Sequence, residues 1–105
     1  MPDLWCIYFV KNCRHARPSP KSKLVAVVCR DSKAMGFLIN STIHPFIQKR
    51  SELLACQADI EAASHACLDY DSYVDCIDLY EFEDAELTHS RGASAIRPKR
   101  KLRRP

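Results

Sequence analysis

The first forty residues alternate between apolar runs and short polar breaks. Leu4–Val10 (LWCIYFV) is aromatic and β-branched and reads as a central strand. Lys11–Ser22 (KNCRHARPSPKS) carries two prolines and reads as a loop. Lys23–Arg30 (KLVAVVCR) is apolar throughout, with charges only at its ends, and predicts a second strand. Asp31-Ser32-Lys33 supplies a turn, and Met35–Asn40 (MGFLIN) predicts the return strand of a hairpin. Ser41–Arg50 (STIHPFIQKR) is expected to be irregular, with Pro45 breaking any helix.

Further along, Glu52–Ile60 (ELLACQADI) suits either helix or strand, and its neighbours favour strand. Glu61–Tyr70 reads as a polar connection. Ser72–Phe82 (SYVDCIDLYEF) alternates apolar and acidic positions with one slip, which predicts a bulged strand. Asp84–His89 predicts one or two helical turns, with Asp84 as the cap. The expected fold is mainly β: a small SH3-like antiparallel barrel of about five strands, with one or two short helices.

At 105 residues, this is one domain's worth of chain. We assign the barrel to 1–90 and a basic, disordered tail to 91–105. Only two glycines are present, so tight turns must rely on Asn, Asp, Ser and the six prolines. No apolar run approaches the roughly 20 residues that span a bilayer, and the N-terminus lacks the pattern of a secretory signal. The expected location is therefore cytoplasmic, with no membrane partner. The six cysteines (6, 13, 29, 56, 67 and 76) include no Cys-x-x-Cys pair. Cys13-Arg14-His15 and His65-Ala66-Cys67 do not have structural-zinc spacing. Reduced, mostly buried thiols are expected, with no metal or cofactor.

Charge changes the picture most. The net charge is only +3, yet the chain is basic, then acidic, then basic. The first fifty residues hold nine basic and two acidic side chains. Residues 51–90 hold eleven acids and no Lys or Arg, and 91–105 hold seven cations and no acid. Such blocks either neutralise one another in space or form a polarised surface for a polyanion. The tail cations Arg97, Lys99, Arg100, Lys101, Arg103 and Arg104 are of the kind that contacts nucleic-acid phosphates.

The hairpin KLVAVVCRDSKAMGFLINSTI, then LLACQADI, then SYVDCIDLYEFEDAEL, resembles the core of the MazF/PemK-like toxin superfamily over roughly residues 4–88. Lys23 stands where the family has a basic residue before a strand. Ser41 and Thr42 follow the hairpin, and Tyr73–Leu79 resembles the family's later strand. The usual Arg-Pro is Lys23-Leu24 here, Ile77-Asp78 replaces the expected glutamine, and a basic tail stands in place of a C-terminal helix. The pattern resembles a divergent phage or mobile-element branch.

The resemblance implies an SH3-like barrel, a homodimer, an antitoxin protein as partner, and metal-independent cleavage of single-stranded RNA. That chemistry needs a base for the 2′-OH, a cation for the phosphorane and a donor for the leaving oxygen. The candidate catalytic residues are Lys23, Ser41, Thr42, His15 and His44. Arg14, Arg17 and Lys21 would bind the nucleic acid from the loop after the first strand. On this expectation the rim is basic and the acids of 51–90 lie elsewhere. Two other readings stay open. One is a non-catalytic barrel module that binds nucleic acid or protein; the other is an accessory protein that acts through its acidic block.

Overall fold

The computed structural model describes residues 4–89. Its main element is a mainly antiparallel β-sheet in which β1 is Cys6–Cys13, β2 Lys21–Arg30, β3 Ala34–Asn40, β4 Gln57–Ile60, β5 Ser72–Phe82 and β6 Thr88–His89. The hydrogen-bonded order is β4-β5-β3-β2-β1-β6. Among the described residues, β4 and β6 are the two edges and do not pair with each other, so the sheet is open. The mainly β, antiparallel fold is as expected, but the sheet does not close into a barrel.

Both faces of the sheet are covered, which explains why the strands read as continuous apolar runs. On one face Tyr8, Val10, Val25, Val27, Leu38 and Phe82 form a core with Cys13, Ala16 and Ala34. On the other, Ile7, Ala26, Ile39 and Val74 pack with Ile60 and Leu68 from the segment before β5. Tyr8 and Phe82 are the largest fully buried side chains, and burying a ring of this kind is worth about 1.5–3 kcal/mol.

Three irregularities shape the sheet. In β1, two residues oppose one between the pairs Val10↔Lys23 and Cys13↔Lys21. Asn12 takes the extra turn at φ 52°, a left-handed conformation that Asn tolerates. This bulge re-aims Cys13 into the core and makes strand of residues expected as loop. A second register shift lies between Val27 and Cys29. The third is larger. Gly36 pairs with Tyr80 and Leu38 with Asp75, so Cys76–Leu79 of β5 stand opposite Phe37 alone. Gly36 is required there, because a Cβ would lie 2.5 Å from the Ala26 carbonyl oxygen.

Elsewhere, local chemistry overrides three expectations. Pro45 does not break a helix but begins one, α1 (Pro45–Gln48), from the first helical position. The stretch expected as one strand from Glu52 splits into α2 (Ser51–Leu54) and β4. Past Phe82, a single 3-10 turn spans Asp84–Glu86 and β6 follows it. Its cap is Glu83 rather than Asp84. The Glu86 carboxylate accepts from the Glu83 N–H, and the Glu83 side chain accepts in return.

The basic and acidic blocks meet in part. Arg30 binds Asp84 with two bonds of 2.8 Å, and Lys33 reaches Glu83 at 2.7 Å. The six cysteines form no disulfide. Only Cys13 is fully buried, and the other five are partly covered, so the expectation of mostly buried thiols is corrected. Among the described residues no helix is long and apolar enough to cross a membrane.

Candidate nucleic-acid interface

Alternation along β2 gives Lys23 its position. Val27, Val25 and Lys23 point to the same face, so Lys23 ends an apolar row at the mouth of the core. It is half-buried there, and Nζ donates to Asn40 Oδ1 at the end of β3. Burial, then the neighbouring Lys21 charge, holds its pKa below the ordinary lysine value. Its ammonium is thus partly desolvated and tethered to Asn40.

A cleft of about 550 Å³ opens beside it. His15, Arg17, Lys21, Lys23, Ser41, Thr42 and His44 are among the residues that line it. The loop after β1, the start of β2 and the segment from the end of β3 to the start of α1 therefore line one cleft. Arg14 is not among the residues that line the cleft: its guanidinium donates to the Glu81 carbonyl at 3.0 Å and to Glu86 at 3.4 Å. The tail residues Arg97, Lys99, Arg100, Lys101, Arg103 and Arg104 lie outside the described residues.

The two histidines differ in what they can do. His15 Nε2 lies 2.9 Å from the Glu81 carbonyl oxygen. A carbonyl only accepts, so Nε2 carries the hydrogen and Nδ1 is the nitrogen left to exchange a proton. The ring is fixed by stacking on Tyr80 and by an edge contact with Phe82. His44 caps α1 instead, with Nδ1 accepting from the Phe46 N–H at 3.0 Å. In that arrangement Nδ1 has no proton and Nε2–H is a hydrogen-bond donor, not a base.

The acids are not all elsewhere. Asp75 faces the cleft, where its Oδ1 accepts from Gln57 Nε2 at 3.0 Å and from the Ile77 N–H at 3.2 Å. Tyr80 lines the cleft too, and burial, then Asp78 and Asp75, raises its pKa. A row across the sheet, Tyr8↔Val25↔Leu38↔Asp75↔Gln57, turns from apolar to polar where the cleft begins. Asn40, Gln57, Asp75 and Tyr80 are site residues that sequence reasoning missed. Among the described residues no group of three His, Cys, Asp or Glu side chains is placed to hold a metal.

No protein-family model matches the chain, and no curated protein matches it in sequence.

Proposed function

We propose that the cleft binds single-stranded RNA at a phosphodiester and cleaves it without metal, in the manner of the MazF/PemK-like proteins that the sequence resembles. One observation carries this reading: a partly desolvated lysine, two hydroxyls and an oriented histidine line a single cleft. His15 Nδ1 takes the 2′-OH proton. The 2′-oxygen attacks phosphorus and the bond to the 5′-oxygen breaks. Lys23 stabilises the charge of the phosphorane, and its lowered pKa makes it the acid for the leaving oxygen. Ser41 and Thr42 donate to a non-bridging oxygen, and His44 Nε2–H binds the strand. Arg17 and Lys21 attract it.

The Asp75 carboxylate favours a second reading. A negative charge in the cleft opposes phosphate, and Lys23 lacks the two-pronged fork of an arginine. Binding without cleavage is the form this reading takes.

Labelled single-stranded RNA incubated with the protein in EDTA separates the two. The first reading gives fragments ending in 2′,3′-cyclic phosphate, lost in Lys23→Ala and His15→Ala. Retarded but intact RNA supports the second. If neither binding nor cleavage occurs, both fall.

A further inference from the structure

We infer that the protein holds two successive nucleosides, one on each side of the bound phosphate, and that Tyr70 stacks on the second base. This rests on the RNA-binding reading above. A second cavity, of about 210 Å³, adjoins the cleft, and Lys23 and Ser41 line both. The groups assigned to the phosphate thus stand between two spaces. A mononucleotide has one base and would fill only one of them. A phosphodiester inside a strand has a nucleoside on either side, which matches the arrangement.

The smaller space suits a base. Tyr70 lines it and is 71% exposed, although an aromatic ring loses solvation free energy by standing in water. An exposed ring beside a cation is the usual platform for single-stranded nucleic acid, because every base has a π-face. Around it, Ser22 and Asp69 supply a hydroxyl and a carboxylate. The carboxylate accepts from an exocyclic amino group, which adenine, cytosine and guanine have and uracil lacks. Leu24, Ile39 and Leu68 close the floor with apolar surface. The polar connection before β5 therefore does more than cover the sheet's second face: it carries the stacking ring to the smaller cavity.

The test is fluorescence anisotropy with a labelled 2′-O-methyl RNA hexamer, which cannot be cleaved at its methylated positions. Tyr70 is exposed and packs little, so its variants should fold, and circular dichroism checks this. Tyr70→Ala should weaken binding on the order of 5- to 100-fold, and Tyr70→Phe should bind like the wild type. An abasic residue, moved one position at a time, should cost the wild type a similar factor at one position and cost Tyr70→Ala nothing more there. If Tyr70→Ala binds like the wild type while Lys23→Ala binds weakly, the second base site is wrong and the RNA-binding reading stands. If the wild type binds no hexamer, both are wrong.

Discussion

His15 and Tyr80 lie ring on ring, with centroids 4.5 Å apart and planes 22° from parallel. Tyr80 also flanks the β5 bulge, so the distortion of the sheet sets the position of the histidine. With Nε2–H fixed on the Glu81 carbonyl, the ring has little freedom to turn. His15→Ala should reduce single-turnover cleavage about 10²- to 10⁴-fold and leave RNA affinity nearly unchanged. Tyr80→Phe keeps the stack and should keep the rate, whereas Tyr80→Leu should lower the rate more than the affinity. An affinity loss as large as the rate loss would assign His15 to binding alone.

Lys23 opposes stability where it serves binding. Its pKa is lowered in the folded state, chiefly by burial, so the folded protein holds this proton less tightly than the unfolded chain. The cost of the buried charge is present below the folded pKa and is relieved as pH rises through it towards the ordinary lysine value. Lys23→Met should therefore unfold at the same or higher temperature than the wild type at neutral pH, although it loses RNA binding. The wild type's deficit should shrink as pH rises towards the ordinary lysine value. A clear fall in melting temperature for Lys23→Met at neutral pH would contradict this account.

Gly36 is held by contact, since an added Cβ meets the Ala26 carbonyl oxygen at 2.5 Å. Backbone on the opposite strand cannot swing aside as a side chain would. Gly36→Ala should cost about 1–3 kcal/mol in urea unfolding and should shift the β5 bulge, and with it Asp75 and Tyr80. An unchanged midpoint would refute the close packing of β2 and β3.

Arg30 and Asp84 join the hairpin to the turn after β5 by two parallel bonds. The hydrogen bond to Arg30 holds the Asp84 carboxyl below its ordinary value. Its contribution is full above the unfolded carboxylate pKa and vanishes as pH falls through the lower folded one. Arg30→Ala and Asp84→Ala should lower the melting temperature slightly and by non-additive amounts at pH 7. The coupling should fade as pH falls below the ordinary carboxylate range and the Asp84 carboxyl takes up its proton. Purely additive effects at pH 7 would deny the pair any role.

β2 and β3 were legible because both faces of the sheet are covered there and their residues are apolar at almost every position, whereas β5 showed itself by alternation. β5 has the bounds read from its sequence. Less local features were not legible. Glu52-Leu53-Leu54-Ala55 favours helix by propensity, and the ladder with β5 begins at Gln57. Lys23, Ser41, Thr42 and His15 were nominated from their places in the chain, and the cleft unites them. Asp75 and Tyr80 were missed for a geometric reason. An odd separation of five puts two residues on opposite faces of a regular strand, but four bulged residues bring these two to one cleft. Arg14 and His15 are adjacent, and only contacts distant in sequence decide which of them meets the cleft.

The central claim is that a phosphate of single-stranded RNA sits at Lys23. Equilibrium binding of a non-cleavable RNA hexamer to wild type and Lys23→Ala, over a series of salt concentrations, tests it most directly. The account predicts that Lys23→Ala binds on the order of 10²-fold more weakly, with a log–log salt slope shallower by about 0.7 for the one lost phosphate contact. Equal affinity and an equal slope in the two proteins would contradict it.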